Sequence, residues 1–129
     1  MDAFKARFDA LNDEQRRAVM HGEGPLLVVA GPGTGKTEML ALRAAYLVHE
    51  RGARPEEVLC LTFTEVAAEN MRARLAGLMG VLGHRVPVYT FHGFASHLFS
   101  AYPEYFYGGA SLFLGSYFGF KPQMFGGNF

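Results

Sequence analysis

Residues 30–37, AGPGTGKT, place a lysine and a threonine at the end of a glycine-rich stretch. Glycines allow a backbone loop to turn its N–H groups inward around a phosphate, because a Cβ atom would clash or forbid positive φ. Lys36 would then reach the outer phosphates as a point charge, and the Thr37 hydroxyl would help to hold Mg²⁺ at the start of a helix. The spacing therefore predicts a site for a triphosphate and its metal ion.

The residues on either side of this loop form patterns that could position it. Residues 26–30, LLVVA, follow Gly24 and Pro25 and are typical of a strand buried on both faces. Residues 37–51 repeat apolar side chains at helical spacing, and Gly52 follows as a stop signal. A phosphate-binding loop requires this position between a strand and a helix. A glycine turn with an incidental lysine is the alternative interpretation.

The strand and helix patterns then repeat along the chain. Residues 58–63 and 86–91 have the pattern of strands, and residues 65–80 and 93–102 have the pattern of the helices that follow them. Alternating units of this kind form right-handed crossovers between parallel strands. We therefore predict an α/β fold with a short parallel sheet flanked by helices. Three strands alone would leave apolar surface and an open sheet edge.

A short helix is predicted before the first strand, over Asn12 to Met20. Asn12 can cap its N-terminus, and Gln15, three residues on, can reach back to complete a capping box.

Composition indicates a soluble globular protein. The chain has 129 residues, half of them hydrophobic, and a formal net charge of zero, so no acidic or basic tail selects partners by bulk charge. No secretory signal and no run of 18 apolar residues is present, which predicts a cytoplasmic protein without membrane contact. The single cysteine, Cys60, lies in an apolar run and is expected to be a buried, inert thiol.

The C-terminal stretch from Pro103 has a different character. It contains nine aromatic residues, six glycines and only two charged residues, Glu104 and Lys121, without a sustained period. It is too apolar for ordinary solvated disorder and too rich in glycine for a regular element. We expect residues 108–129 to be an aberrant or disordered tail, with the departure beginning near Ser111.

Four sequence blocks together carry a family resemblance. LNDEQRRAV at 11–19, AGPGTGKT at 30–37, LTFTEVAAENMRARL at 61–75 and YTFHGFASHLF at 89–99 resemble the start of the UvrD/Rep/PcrA-like superfamily 1 DNA helicases. The resemblance covers about residues 9–107 and implies the N-terminal part of a RecA-like P-loop NTPase domain, here residues 1–107. It also implies ATP and Mg²⁺ as cofactors, single-stranded DNA as partner, and a role in DNA repair.

The resemblance assigns the nucleotide site residue by residue. LNDEQ is similar to the family's Q motif, so the amide of Gln15 would donate to and accept from the adenine edge. Closure of the capping box is the competing role for Gln15, and the two roles are compatible. Ala30 stands where the usual loop has glycine. The implied nucleotide-binding residues are Gln15, Ala30, Gly31, Pro32, Gly33, Thr34, Gly35, Lys36 and Thr37, with Thr37 also on the metal.

TFTEVAA resembles motif Ia, which implies a contact with single-stranded DNA. Thr62 and Thr64 would donate hydrogen bonds to phosphates, and Phe63 would stack on a base, although a buried core position is the alternative for Phe63. Relatives commonly carry Asn-Lys where this chain has Glu65 and Val66. An acid therefore replaces a neutral amide and one positive contact is lost, which predicts weaker DNA binding.

TFHGFA resembles motif Ib, which implies that Thr90, Phe91 and His92 face the same DNA strand at the end of the third predicted strand. A structural role is the alternative for His92, although ligands gather on this side of α/β sheets. Arg72 and Arg74 lie two residues apart in the second predicted helix and therefore point to different faces. A solvated surface position is expected for at least one of these arginines.

No complete catalytic site is predicted. An ATPase of this class needs a carboxylate at the end of another strand, commonly beside a second acid that activates water. The chain's aspartates are Asp2, Asp9 and Asp13, all before the loop, and no Asp-Glu pair follows an apolar strand. The resemblance places that pair, the γ-phosphate-sensing arginines and a second motor domain further along a longer polypeptide. We therefore hypothesise a truncated or frame-shifted helicase remnant.

Two functions stay open at this point. The chain is either the N-terminal, ATP-binding portion of an ATP-dependent DNA helicase, or a free-standing module of the same ancestry that binds ATP without hydrolysing it. Whether it acts as an enzyme by itself is therefore uncertain from the sequence. A small-molecule kinase is disfavoured, because neither a lid nor acidic metal ligands are evident.

Overall fold

A computed structural model describes residues 2–106 of the chain. The predicted tail, residues 108–129, lies outside the described residues. In chain order the elements are α1 (Asp2–Asp9), α2 (Asp13–Met20), α3 (Lys36–His49), β1 (Cys60–Thr62), α4 (Glu65–Met79), α5 (Val81–His84), β2 (Val88–Thr90) and α6 (Phe91–Ala101), with 3₁₀ turns at Pro55–Glu57 and Pro103–Tyr105.

The two strands form a short parallel sheet. Cys60 pairs with Val88 and Thr62 with Thr90, so the carboxyl ends of β1 and β2 finish level with each other. The connection between them runs through α4 and α5, because parallel neighbours need a long crossover. The prediction of parallel strands flanked by helices is therefore confirmed for these two strands.

The core lies mainly between helices rather than on the sheet. α3 packs against both α2 and α4, and Val19, Leu42 and Leu75 are the largest side chains that are completely buried. These residues come from α2, α3 and α4 in turn. Burial of this apolar surface is the principal term that holds the three helices together.

One arginine of α3 links this helix to the end of α2. The Nη1 atom of Arg43 donates to the carbonyl oxygens of Ala18, Val19 and His21 at 3.0, 3.2 and 2.9 Å. These carbonyls belong to the last turn of α2 and the residue that caps it, where intrahelical partners run out. Arg43 thereby caps α2 and holds it beside the helix that follows the glycine loop.

The prediction of a strand at residues 26–30 is wrong. This segment has no strand assignment, and the side chains of Leu27 and Val29 are 87% and 90% exposed. A strand exists only when a neighbour completes its hydrogen bonds, and β1 and β2 pair with each other and with no third strand in residues 2–106. Residues 26–30 are apolar, but within residues 2–106 no strand pairs with them.

The second predicted strand is shorter and more exposed than expected. Only Cys60–Thr62 of residues 58–63 is paired, and Leu59, Leu61 and Phe63 are exposed. Neither face of a strand is covered unless helices or further strands lie on it. The expectation of residual apolar surface beside an open edge is confirmed here.

One helix start agrees with the sequence predictions, and two helices are additional to them. The capping box of α2 is confirmed, with Gln15 N donating to Asn12 Oδ1 at 2.8 Å and Asn12 N to Gln15 Oε1 at 3.1 Å. α1 and α5 were not predicted. α5 approaches α4 so closely that a Cβ atom on Gly83 would overlap the carbonyl of Leu75, so only glycine fits there.

None of the helices within residues 2–106 is long and apolar enough to cross a membrane.

Candidate functional site

The glycine loop has the tight geometry that its composition predicts. Gly33 and Gly35 have φ angles of 70° and 78°, in the left-handed region that other residues rarely adopt. Gly31 does not, and a Cβ atom there would meet only the Thr34 methyl group at 3.9 Å. The expectation that every glycine is required by φ or by a clash therefore holds for Gly33 and Gly35, while Gly31 shows neither constraint in this conformation.

The loop delivers Lys36 and Thr37 to the first turn of α3. Gly35 is the N-cap residue and, having no side chain, makes no capping hydrogen bond. Both Lys36 and Thr37 are exposed. The N-terminus of this 14-residue helix therefore combines three features: backbone N–H groups without a side-chain cap, the positive end of the helix dipole, and the ammonium group of Lys36.

Gln15 connects α2 to this loop. Its Oε1 atom closes the capping box with Asn12, while its Nε2 atom donates to the carbonyl of Thr34 at 2.9 Å. The Thr34 hydroxyl in turn donates to the carbonyl of Gly31 at 2.6 Å. The two amide atoms that were predicted to contact adenine are therefore both engaged within the protein in this conformation.

A cleft of about 270 Å³ lies between α2 and the loop. Polar and apolar residues both line it, with Gln15 and Lys36 beside Val28, Val29 and Met39. A nucleotide needs both properties, because its base is apolar on its faces and its phosphates are anionic. The cleft therefore places the ammonium group of Lys36 and an uncapped helix N-terminus beside apolar side chains.

Glu38 was not singled out by the sequence and forms a network beside the loop. Its Oε2 atom accepts a hydrogen bond from Nη1 of Arg74 on α4, and its Oε1 atom lies 3.7 Å from Nη1 of Arg7 on α1. Glu38 directly follows Thr37, so two guanidinium groups hold the first turn of α3 from two other helices. This role of Glu38 follows only from its ion pairs with Arg7 and Arg74, which lie far from it in the sequence. In the sequence alone, Glu38 is one of several glutamates.

The predicted DNA-contacting segments meet at one edge of the sheet. Thr62–Thr64 follows β1 and Thr90–His92 follows β2, and the parallel register brings the two strand ends side by side. The rings of Phe63 and Phe91 lie 5.2 Å apart between centroids. Phe63 is 85% exposed, so the core alternative for this residue is not supported.

The threonine hydroxyls at this edge have structural partners. Thr64 and Thr90 are the N-caps of α4 and α6, and accept from Ala67 N at 3.1 Å and from Gly93 N at 2.9 Å. The Thr62 hydroxyl donates to the carbonyl of Thr64 at 3.1 Å. Phosphate contacts from these hydroxyls would have to share or replace these bonds, and Thr90 is also buried.

Other candidate residues have clear positions. Arg72 lies on α4 and donates to the carbonyl of Val88 on β2 at 2.7 Å, while Arg74 pairs with Glu38. Both arginines thus help to pack α4.

Cys60 is half-buried, and burial raises the pKa of its thiol, which keeps the group in its weakly reactive protonated form at neutral pH. His92 is half-buried as well.

The described part of the chain contains no cluster of three or more histidine, cysteine, aspartate or glutamate residues placed to hold a metal ion. Thr37 is the one metal-binding residue that the sequence predicts, and its exposed position at the start of α3 leaves it accessible.

Two parallel strands joined by crossover helices, with a glycine loop at the N-terminus of a helix, place the chain in the α/β class. Comparison of sequences specifies the family. Residues 11–112 match the UvrD/REP helicase N-terminal domain, and the chain belongs to this family.

Individual relatives agree with this assignment. The chain is 49% identical over 84 residues to the ATP-dependent DNA helicase UvrD1 of Mycobacterium tuberculosis (strain ATCC 25618 / H37Rv), which is 65% of this chain and 11% of the relative. It is 44% identical over 88 residues, 68% of this chain and 13% of the relative, to the probable DNA helicase II homolog of Rickettsia conorii. Against the ATP-dependent DNA helicase PcrA of Staphylococcus epidermidis, identity is 45% over 82 residues, 64% of this chain and 11% of the relative.

The chain therefore spans about a tenth of the length of the curated relatives it matches.

Proposed function

We propose that this chain is the ATP-binding N-terminal portion of a UvrD-like, ATP-dependent DNA helicase, with the nucleotide at residues 30–37. The arrangement that carries the proposal is the left-handed Gly35 at the uncapped start of α3, beside the exposed Lys36 and Thr37. Backbone N–H groups and a positive helix terminus at such a loop attract phosphate, and a lysine adds charge.

In this proposal each part of the cleft has one task. Lys36 neutralises the outer phosphates, Thr37 supplies a hydroxyl ligand to Mg²⁺, and Gln15 exchanges its hydrogen bond with Thr34 for one with adenine. Bound Mg²⁺ would supply charge that stabilises the phosphates. Residues 30–34 complete the phosphate cradle as a P-loop.

We further propose that single-stranded DNA contacts the edge formed by Thr62–Thr64 and Thr90–His92. Support comes from the exposed aromatic pair Phe63 and Phe91, because adjacent rings in contact with solvent offer stacking surfaces for bases. The family membership supports DNA as the partner, since the relatives compared above are named as DNA helicases.

Hydrolysis by this chain alone is not proposed. The sequence carries no aspartate after residue 13, and no acidic pair follows β1 or β2. The proposal is therefore ATP binding without turnover by residues 1–129, either as a portion of a helicase or as a free-standing, non-hydrolysing module.

The test is thermal unfolding of the 129-residue chain with and without MgATP. At a hundredfold excess over its dissociation constant, a ligand that binds only the folded state adds roughly 2.7 kcal/mol to the free energy of unfolding. Lys36→Ala should abolish the MgATP-dependent shift, whereas Lys5→Ala, a matched exposed lysine on α1, should retain it. An equal shift for the parent and the Lys36→Ala chain would refute the assignment of the site.

A measurement of ATP hydrolysis distinguishes an active ATPase from both proposed forms of the chain, the helicase portion and the free-standing module. Steady-state phosphate release should stay at background for the 129-residue chain, both with and without single-stranded DNA. DNA-stimulated release that Lys36→Ala abolishes would show that the hydrolytic groups are present after all.

A further inference from the structure

Glu65 places a carboxylate at the edge where the two DNA-contacting segments meet. It is the first residue of α4, it is exposed, and its Oε1 atom lies 3.5 Å from Oγ1 of Thr90. Thr90 is the N-cap of α6. The carboxylate therefore reaches from the N-terminus of one helix to the N-cap of another.

The register of the sheet explains why these termini meet. Thr62 and Thr90 are paired residues at the ends of β1 and β2, and each strand leads almost directly into a helix. The positive ends of α4 and α6 thus face the same side of the sheet. Anions are stabilised at such positions, whether they belong to a ligand or to the protein itself.

We propose that Glu65 acts as an internal competitor for DNA phosphate and sets the DNA affinity of this edge. This inference rests on the proposed DNA-binding function. The carboxylate lies beside two helix termini that attract anions, and its negative charge would repel an incoming phosphate. Glu65 thus lowers the DNA affinity of this edge, and neutralising its charge strengthens binding.

A purely structural role makes a different prediction. Glutamate in the first turn stabilises a helix through the dipole, and its contact with Thr90 ties α4 to α6. If that were its whole role, neutralising Glu65 would loosen the edge and weaken DNA binding or leave it unchanged. The two roles are separated by the sign of the change and by its dependence on salt.

The experiment compares the 129-residue parent with Glu65→Gln, which keeps an oxygen that can accept from Thr90 but removes the charge. Binding of a fluorescein-labelled oligothymidylate is measured by fluorescence anisotropy at about 20 mM and about 300 mM salt. For an assumed separation of about 5 Å in water, loss of one repulsive charge should tighten binding about fourfold at low salt. The gain should shrink at high salt, where the Debye length falls to a few ångströms.

Glu69→Gln is the matched control. Glu69 lies one helical turn further along α4, is exposed, and undergoes the same change of charge. Its replacement should change affinity much less than that of Glu65. Equal gains for both variants would indicate a general charge effect and overturn the specific role of Glu65.

The remaining outcomes are also decisive. Unchanged or weaker binding by Glu65→Gln, with the parent binding measurably, would overturn the inference and leave the DNA-binding proposal intact. Absence of binding by both chains at low salt, with the MgATP-dependent shift present, would refute the proposed DNA contact and this inference together.

Discussion

The side-chain amide of Gln15 donates a 2.9 Å hydrogen bond to the main-chain carbonyl of Thr34, inside the glycine loop. The same amide closes the capping box of α2 with Asn12 through its oxygen. One side chain therefore connects the N-terminus of α2 with the conformation of the loop. A nucleotide that took over the amide of Gln15 would alter both contacts.

Replacement of Gln15 by alanine should reduce discrimination between nucleotide bases. If the amide reads adenine, Gln15→Ala should bind ATP more weakly while GTP binding changes little, because the lost bonds are specific to the base. Affinities are measured by competition with a fluorescent ATP analogue. Asn12→Ala is the control: it removes the capping box at about 1 kcal/mol of stability but should preserve the ratio of ATP to GTP affinity. A preserved ratio in Gln15→Ala would contradict the adenine role.

The ion pair between Glu38 and Arg74 should contribute a measurable coupling energy. Arg7 adds a second cation to the same carboxylate, and the group is only partly exposed, so we expect about 0.5–1 kcal/mol from a double-mutant cycle with Glu38→Gln and Arg74→Gln. Urea unfolding provides the free energies. The exposed Lys5–Asp9 pair should give a smaller value in the same kind of cycle. Equal coupling in the two pairs would show that the network around Glu38 is not special.

Replacement of Phe63 by alanine should weaken binding of single-stranded DNA. Stacking of one base is worth about 1–3 kcal/mol, which corresponds to a loss of roughly fivefold or more. Anisotropy with labelled oligothymidylate measures the change. Tyr105→Ala removes an aromatic ring that is similarly exposed but lies in the 3₁₀ turn after α6, and should have little effect. Comparable losses in both variants would argue against a specific platform at Phe63.

Two leucines of α3 should differ sharply in their contribution to stability. Leu42 is completely buried, whereas Leu40 is 51% exposed. Leu42→Ala should lower the free energy of unfolding by about 2–5 kcal/mol, because it removes apolar contacts and leaves a cavity. Leu40→Ala, the matched change on the exposed side, should cost less than about 0.5 kcal/mol. Thermal and urea unfolding give both values, and similar losses would place the core elsewhere.

Alkylation of Cys60 should require a higher pH than alkylation of an exposed thiol. Burial raises the pKa of Cys60, so a smaller fraction of the thiol is ionised at any given pH, and the thiolate is the reactive form. The rate of modification by iodoacetamide is followed by mass spectrometry between about pH 7 and pH 10. The urea-unfolded chain is the control. A midpoint at or below that of the unfolded chain would contradict the raised pKa.

Local signals in the sequence were sufficient for several features of this protein. The capping box of Asn12 and Gln15, the helix after the glycine loop and the left-handed glycines follow from interactions within a few residues. The order of the motifs was likewise enough to indicate the helicase family, which the match over residues 11–112 confirms. Each of these depends on chemistry that neighbouring residues carry with them.

Contacts between distant residues were decided only by the tertiary structure. LLVVA has the composition of a buried strand, yet it is exposed because pairing needs a neighbour that composition does not specify. The pairing of Glu38 with Arg74 and the approach of Glu65 to Thr90 join residues 36 and 25 positions apart. Burial and charge pairing depend on which segments meet in space, and the linear order of residues leaves that open.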